Sequence, residues 1–388
     1  MRHFNFAIFA LALGAFGIGV TEFTPMGMLP LIAHDLDISI PTAGILISAY
    51  ALGVMIGAPL MTLTTGRLPR RKLLIGLVVI FTLGNLLSAL STSYSMLLVS
   101  RVITSLNHGA FFGVGSVVAA SLAPAHRRAA AISAMFMGLT IANVIGVPLA
   151  TLTGEVIGWR AAFWGISVIG LITMAALWKT LPTMPTADGN NISAELSVLL
   201  SRPVLAALGL TVLSSSAMFT VFTYIVPMLR NVTQASTFFV TSMLVTYGIG
   251  LTVGNWIGGK YTDRYPVRTL ILSLIAVVMT LLLFAFLLPY ALPTAALIFL
   301  WGVASFAVMP PLQMRVMTAA QHAPNLASSV NIGAFNLGNA IGAALGGAVI
   351  TAGLAYPFIA VAGAVTAALG LLMLSLMNKS SSEPKGTV

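Results

Sequence analysis

Three ionisable side chains lie inside long apolar stretches of this sequence: Glu22, Arg101 and His108. Glu22 stands in the stretch 4–29, about 25 residues without another charge, long enough to cross a hydrocarbon core at roughly 1.5 Å per residue. A carboxylate inside a membrane costs on the order of 3 kcal/mol unless it faces water or a partner. A carboxyl group held in such a place can take up and release protons near neutral pH, which is the chemistry of proton-coupled transport.

The two basic groups lie at depths that allow either to be a partner of Glu22. If the first helix runs outward, Glu22 lies roughly 12 Å below Pro30, while Arg101 and His108 lie roughly 9 Å and 20 Å from the outer end of the fourth helix. We predict that Glu22 is the proton site and that Arg101 and His108 tune its proton affinity. The alternatives are an Arg101 that extends to the outer interface, a His108 in a neutral hydrogen bond between helices, and a structural carboxyl group at Glu22.

The composition requires a membrane protein to hold these groups. Hydrophobic residues make up 58% of the chain, charged residues only 7%, and the mean hydropathy is +1.02. Soluble domains carry roughly 25% charged residues, so we predict an all-α integral membrane protein with about twelve transmembrane helices. The predicted spans are 5–28, 42–64, 73–91, 95–121, 129–155, 160–181, 203–228, 238–259, 268–288, 293–314, 324–350 and 354–377.

The net charge of +10 reflects the topology of a membrane protein and not the binding of a nucleic acid. About fifteen of the 18 basic residues fall on one side of the predicted spans, which is the positive-inside bias and places both termini in the cytoplasm. We therefore expect lipid around the protein and no nucleic-acid partner. The chain has no cysteine, which excludes disulfides and thiol catalysis. We interpret its first apolar run as an uncleaved first helix, because the run is long and further spans follow it.

The chain divides into two similar halves. The polar stretch 182–202 predicts a cytoplasmic linker between six-helix bundles at 1–181 and 203–377, with a cytoplasmic tail at 378–388. A glycine and basic pattern after the second helix recurs about 197 residues later, and an Asn-x-Ile-Gly motif at Asn143 recurs at Asn339. Two matches in nearly the same register indicate a duplication, with a substrate held between the halves near the bilayer midplane.

Small residues recur every four positions in the fifth and eleventh helices. Residues at that spacing share one helix face and let two backbones approach closely. We predict that these ladders form a moving contact between the bundles, against the alternative of ordinary packing, and that Pro148 kinks the fifth helix. The positions concerned are Gly138, Gly146, Gly154, Gly338 and Gly342.

The loops after the second and eighth helices resemble the signature of the major facilitator superfamily. The first loop keeps its basic residues Arg67, Arg70 and Arg71 but lacks the aspartate, whereas the second keeps Asp263 and Arg264. In that family the loop is thought to hold the halves together through contacts at helix ends. The resemblance implies that these five residues take part in conformational gating. The alternative is that the basic residues of this loop only set the orientation of the helices in the membrane.

A closer resemblance comes from the helices themselves. Gly138, Gly146, Pro148 and Gly154 resemble a signature of the drug:proton antiporter branch, as Arg101 resembles another. The segments 21–25 and 107–113 are similar to those of bacterial sugar-efflux and arabinose-efflux-like proteins. The resemblance implies the major facilitator fold of two pseudo-symmetric six-helix bundles in a bacterial inner membrane, with a drug or a sugar as cargo.

Several polar and aromatic residues inside the spans are candidates for a substrate cavity, with ordinary helix packing as the alternative for each. They are Phe111, Asn143, Thr220, Thr223, Tyr224, Trp301, Asn331 and Asn336.

We predict a secondary transporter that exports a small organic molecule by alternating access in exchange for protons. The chain has no phosphate-binding glycine loop that ends in lysine and no protease motif, so we expect neither an ATP-driven pump nor an enzyme. The proton gradient would supply the energy without a cofactor, and we expect a functional monomer. The alternatives are a proton-coupled importer of a small polar solute and a non-transporting sensor on the same scaffold.

Overall fold

The computed structural model describes residues 6–65, 68–124, 128–183, 200–262, 264–320 and 324–382. Within these residues, 12 helices are long and apolar enough to cross a membrane, which confirms the predicted number. Most of the predicted linker and tail, at 184–199 and 383–388, lies outside the described residues.

Six spanning helices form the first half. They are α1 (Phe6–Gly27), α2 (Ile40–Thr65), α3 (Arg70–Ala89), α4 (Tyr94–Ser121), α5 (Arg128–Ile141, Ala142–Gly146 and Val147–Val156) and α6 (Trp159–Thr180). A short helix, Leu29–Asp35, joins α1 to α2. The second half contains α7 (Arg202–Asn231), α8 (Thr237–Thr262), α9 (Pro266–Leu287), α10 (Ala291–Ala319), α11 (Pro324–Thr351) and α12 (Pro357–Ser382).

Prolines account for the local breaks in these helices, because proline has no N–H to donate to the carbonyl four residues earlier. In α7 the helix is interrupted at 223–224, four residues before Pro227, and in α10 it is interrupted at Val308, just before Pro310. In α5 the predicted irregularity takes the form of a π-helical turn, Ala142–Gly146, immediately before Pro148. Such π turns occur often at functional sites.

The two halves pack their helices in the same pattern. In the first half α1 packs against α5 and α6, and α2 packs against α4; in the second half α7 packs against α11 and α12, and α8 packs against α10. The repeated pairing fits the duplication that the sequence indicates. We call the end where α1 begins and α12 ends the terminal face, and the end where α1 finishes the opposite face.

The glycine ladders lie inside the halves, which corrects the prediction that they form the contact between them. A methyl group at Gly138 would overlap the backbone oxygen of Ala12 in α1, and Gly146 and Gly154 also face the first half's own chain. In α11, Gly338 and Gly342 face α7, where a methyl group at Gly342 would lie 2.6 Å from the carbonyl oxygen of Ser216. The ladders bring helices of one bundle close together.

Other helices join the two halves. Along one seam α2 packs against α11, where Ser48 Oγ donates a hydrogen bond to the Ala340 carbonyl over 3.1 Å. Along the other seam α8 packs against α5, and a methyl group at Gly248 would lie 2.6 Å from the carbonyl oxygen of Asn143. The seams are therefore the contacts that a relative motion of the halves would change.

The described members of the loop signature contact their own halves. Arg71 Nη2 donates to the Trp178 carbonyl in α6, and the guanidinium of Arg264 lies 5.3 Å from the ring centre of Tyr265. Arg70 is the first residue of α3 and is partly exposed. Arg67 and Asp263 lie outside the described residues. The gating role of this loop stays a prediction.

Candidate functional site

A cavity of about 450 Å³ lies between the two halves. The first half contributes Glu22, Phe23, His108, Phe112, Phe136, Leu139 and Asn143 to its wall. The second half contributes Thr211, Asn255, Phe306, Met309, Pro310, Leu312, Gln313, Asn331, Ile332, Phe335 and Asn336. Apart from His108, Thr211 and Pro310, the wall is made of aromatic, aliphatic and amide side chains around one carboxyl group.

The cavity lies toward the terminal face. Its wall uses the early parts of helices that start at that face, such as Phe136 in α5, Thr211 in α7 and Asn331 in α11. It also uses the late parts of helices that end there, such as Asn255 in α8 and Gln313 in α10. The two halves thus enclose the site from the opposite face.

Aromatic rings and an ion pair close the opposite side. Phe23 of α1 stacks on Phe219 of α7, with ring centres 6.1 Å apart, and also contacts Phe222. Nearer the opposite face, Arg230 Nη2 donates to Glu155 Oε1 over 2.8 Å, which links α7 to α5. Both contacts join one half to the other.

Glu22 and His108 meet at the wall of the cavity. The carboxyl group of Glu22 is only 4% exposed, and its Oε2 lies 4.0 Å from His108 Nδ1. The hydroxyl of Tyr50 lies 3.1 Å from the same nitrogen. If the hydroxyl donates, His108 carries its proton on Nε2 and keeps Nδ1 as an acceptor. A carboxyl group and an imidazole thus lie side by side in a nearly buried site.

Arg101 lies behind this pair and not on the cavity wall. Its side chain is 1% exposed, Nη1 donates to Thr21 Oγ1 over 3.2 Å, and the guanidinium carbon lies 4.2 Å from the ring centre of Tyr50. Thr21 Oγ1 in turn donates to Asn85 Oδ1. Burial rules out the alternative in which Arg101 extends to the interface. Nε and Nη2 find no hydrogen-bond partner among the described residues, so the guanidinium keeps unused donors next to the carboxyl site.

Amide side chains of the second half form the facing wall. Thr211 Oγ1 donates to Asn331 Oδ1 over 2.8 Å, and Asn331 Nδ2 donates to Gln313 Oε1 over 2.6 Å. Asn336 Nδ2 donates to the Ile332 carbonyl over 3.0 Å. Within the described residues Asn336 Oδ1 has no hydrogen-bond donor.

Of the predicted site residues, Glu22, His108, Asn143, Asn331 and Asn336 line the cavity together. Five predicted cavity residues do not, and that part of the prediction is corrected. They are buried in helix packing away from the cavity: Phe111, Thr220, Thr223, Tyr224 and Trp301.

The reasons for this correction are visible in their contacts. The ring of Phe111 fills the space over Gly14 of α1. Trp301 packs in an aromatic cluster with Tyr247, whose tilted ring has its centre 4.5 Å away. Tyr224 donates to the Ala343 carbonyl over 2.9 Å, and Thr220 donates to the Ser216 carbonyl. A polar or aromatic residue in an apolar span thus indicates a buried position. It does not indicate whether that position faces the cavity or a neighbouring helix.

Sequence reasoning missed several cavity residues. The amides of Asn255 and Gln313 carry the same signal as Asn331, a polar side chain within an apolar span, and were open to detection. The phenylalanines of the wall, such as Phe112, Phe136 and Phe335, carry no signal that separates them from lipid-facing rings.

Comparisons with known proteins agree with this architecture. The sequence model of the Major Facilitator Superfamily matches residues 11–332. The inner membrane transport protein YdhP of Escherichia coli (strain K12) is 54% identical over 379 residues, covering 98% of this chain and 97% of that protein. The putative transporter AraJ of the same strain is 34% identical over 372 residues, covering 95% and 94%. A chloramphenicol resistance protein of Streptomyces lividans is 31% identical over 339 residues, covering 86% of each chain.

Solved structures share the fold at low identity. The D-xylose-proton symporter superposes with a TM-score of 0.77 at 15% identity, covering 95% of this chain and 96% of that chain. A bacterial homologue of the human lysosomal transporter Spinster, in an inward-facing and unoccupied conformation, gives 0.70 at 15% identity, covering 97% and 96%. With a matching family model, relatives matched over most of their length and twelve spanning helices around a central cavity, the chain belongs to the major facilitator superfamily and is a secondary membrane transporter.

Proposed function

We propose that this protein exports a small organic molecule in exchange for protons, with Glu22 as the proton site. The observation that carries the proposal is the position of Glu22: a nearly buried carboxyl group on the wall of the central cavity, 4.0 Å from His108. A carboxyl group there can be reached from the cavity. Cargo and proton then compete for the same wall.

In this proposal the two basic residues have different roles. His108 shares the cavity wall with Glu22 and is held by Tyr50, so it positions the proton and cargo around the carboxyl group. Arg101 lies on the far side of Tyr50 and opposes the charge of an ionised Glu22 through the protein interior. A charge inside a membrane protein needs such a partner, because isolated charges are costly there.

Alternating access follows from the two ends of the cavity. With the termini in the cytoplasm, as the basic residues indicate, cargo enters from the terminal face and the bundles then rock apart at the opposite face. Glu22 takes up a proton from outside, which favours release of cargo, and returns it to the cytoplasm when the cavity faces inward again. The proton gradient supplies the energy, no cofactor takes part, and one chain suffices.

The relatives support parts of this proposal. A chloramphenicol resistance protein among them favours export of a drug-like molecule, and YdhP, an inner membrane transport protein, favours a bacterial inner membrane. A D-xylose-proton symporter shares the fold, so proton-coupled import of a small polar solute is the second candidate.

The decisive experiment replaces Glu22 by Gln, which keeps the size and removes the ionisation. In proteoliposomes with an imposed pH gradient, E22Q should lose uphill transport of a cargo found by ligand stabilisation while retaining exchange of labelled for unlabelled cargo. The matched control is Asp37→Asn, an exposed carboxyl group at φ 50°, a conformation that Asn tolerates well. Full gradient-driven transport by E22Q would refute the assignment of Glu22.

The direction of the cargo gradient separates the two candidates. The protein is inserted in one orientation and a pH gradient is imposed. If it exchanges cargo for protons, protons enter the more alkaline compartment and cargo should leave it. Accumulation in that alkaline compartment would instead identify a symporter that imports its solute.

A further inference from the structure

The wall that faces Glu22 carries no charge. In the described residues the second half supplies amides and a hydroxyl to the cavity, among them Asn255, Gln313 and Asn331, and supplies no Asp, Glu, Lys or Arg. Glu22 is the one carboxyl group on the described wall. The single carboxyl group of the described wall is thus also the proposed proton site, and no other charged side chain of that wall is left to pair with a charged cargo.

The charge of Glu22 is opposed from behind. Arg101 is fully buried next to Thr21 and Tyr50, and its field reaches the Glu22 carboxyl group. When Glu22 is ionised the two charges offset each other, and when it is protonated the arginine remains. A cationic cargo thus finds little net attraction in either state, and an anionic cargo is repelled by the carboxylate whenever Glu22 is ionised. An uncharged cargo is accommodated throughout the cycle.

Among the described residues, the amide wall contains a buried acceptor without a donor. Asn331 uses both ends of its amide, accepting from Thr211 and donating to Gln313. Asn336 uses only its nitrogen, and its Oδ1 has no donor among the described residues although the residue is 1% exposed. A buried acceptor that is left unpaired is unfavourable, so a cargo N–H or O–H placed there would satisfy it.

Flat apolar surfaces lie beside these polar groups. Phe112 and Phe136 stack with ring centres 5.1 Å apart and an angle of 17° between their planes. Phe335 lies on the other side of the cavity, edge-on to Phe219 at 5.3 Å. A cavity of about 450 Å³ falls in the size range of pockets that hold drug-sized ligands.

From these features we infer that the cargo is an uncharged molecule that combines a flat apolar ring with hydrogen-bond donors, and that Asn336 Oδ1 accepts from one of those donors. The inference rests on the proposed function only in treating the cavity as the cargo site. It makes Asn336 a specificity-determining residue, because its amide neither attracts cations nor repels them while still requiring a donor. A sugar without an apolar ring would leave the phenylalanines of the wall uncovered.

The test uses three probes of nearly equal shape: 2-naphthamide, which is neutral, 2-naphthamidine, which is a cation, and 2-naphthoate, which is an anion. Binding to the purified full-length protein is measured by titration calorimetry without a pH gradient. We expect the neutral amide to bind about tenfold more tightly than either charged probe, a difference of one decade in Kd. Tighter binding of a charged probe, or no binding of the amide, would overturn the inference.

Substitutions at Asn336 test its role directly. Asn336→Leu should weaken binding of 2-naphthamide about fivefold to tenfold, and Asn336→Asp should make the amidine the best ligand by adding a carboxylate that no arginine opposes. The control is Asn231→Leu at an exposed position of α7, which should leave all three affinities unchanged. Unchanged binding in folded N336L protein, or an unchanged probe order in N336D, contradicts the assignment.

The order of the three probes on the unaltered protein stays decisive if a variant does not fold. Binding without a gradient also separates this inference from proton coupling. Loss of coupling in the Glu22→Gln transport assay with the neutral probe preferred supports both proposals. Loss of coupling with a preferred cation refutes only this inference, and normal coupling in E22Q with the neutral probe preferred refutes only the assignment of Glu22.

Discussion

Arg230 and Glu155 form an ion pair that joins the two halves of the protein at the opposite face, with Nη2 and Oε1 2.8 Å apart. The same nitrogen of Arg230 contacts Thr237 Oγ1, and Nη1 donates to the Ala235 carbonyl. The side chains are 30% and 19% exposed, so water screens the pair only in part. The pair has to break before the halves can separate at this face.

Removing the pair should therefore favour the conformation that is open at the opposite face. The chain has no cysteine, so Ala43→Cys in α2 provides a single reporter at a position that is 0% exposed and packed against the second half. We expect Glu155→Gln to increase labelling of this cysteine by an impermeant maleimide, added at the opposite face, about fivefold. That factor corresponds to about 1 kcal/mol, the upper value for a partly exposed pair.

A second ion pair at the same face is the control for this prediction. Arg160 Nη1 and Asp35 Oδ2 lie 2.6 Å apart, but both belong to the first half. Asp35→Asn should leave labelling of the Ala43→Cys reporter unchanged. Equal labelling in E155Q and the unaltered protein would show that the pair between the halves does not hold this face closed.

The sequence predicted the helices and the buried charges well for one physical reason. The lengths of the apolar stretches set the number of spans. An ionisable residue within such a span, as at Glu22 or His108, is costly there and therefore stands out in the sequence. Contacts between helix ends carry no comparable signal. Glu155 and Arg230 lie 75 residues apart near the water, where charged residues are ordinary. Only the packing of α5 against α8, which begins seven residues after Arg230, brings them together.

The glycine ladders show a different limit. A four-residue spacing predicts which positions share a helix face, and in the structure Gly138 and Gly146 do lie on one face of α5. It does not tell which helix the face meets. In this fold the ladder of α5 meets α1 of its own half. The spacing thus predicts the shared helix face correctly, and the prediction that this face meets the other bundle is wrong.

The ladder of α5 should be necessary for a stable first half. At Gly138 a methyl group would overlap the backbone of α1, which cannot shift as a flexible side chain can. We expect Gly138→Ala to lower the unfolding temperature and the yield of folded protein, since overpacking a core costs about 1–3 kcal/mol. Thermal unfolding of detergent-purified protein measures the change.

The control for Gly138 is a glycine with open space. At Gly76 in α3 a methyl group would meet no atom within 4 Å. Gly76→Ala should be neutral or slightly stabilising, because alanine is the better helix former. If both substitutions had the same effect, the close approach of α5 to α1 would not limit stability.

The pair at Asp35 predicts a pH dependence of stability. Burial alone would raise the pKa of Asp35, but hydrogen bonds from Arg160 and Trp159 and the charges of Arg160 and His34 together hold that pKa below its usual range. A lowered pKa in the folded state stabilises the fold above the pKa of an unfolded aspartate, about 3.9, and this stabilisation is lost as the pH falls through the lower folded value.

Asp35→Asn should accordingly lower the unfolding temperature at pH 7, and the difference should be smaller at a pH below about 3.9, the pKa of an unfolded aspartate. The Asp35 side chain is 43% exposed, so solvent screening limits the effect to about 1 kcal/mol or less. Unfolding curves of the two proteins at both pH values provide the measurement. A difference that persists or grows in acid would contradict the role of the ionised pair.

The seam between α5 and α8 allows a test that involves no charge. Gly248 lies against the π-helical turn of α5, where a methyl group would stand 2.6 Å from the Asn143 carbonyl oxygen and 2.9 Å from Val144 Cα. Because this overlap exists only while the two helices touch, Gly248→Ala should raise the free energy of the conformation described here relative to one with a looser seam. Labelling of the Ala43→Cys reporter should increase, as it should for E155Q. Gly259→Ala on the same helix, where a methyl group meets nothing within 4 Å, should leave labelling unchanged. If G248A labels no faster than G259A, the seam does not open with the opposite face, and the halves must move about a different contact.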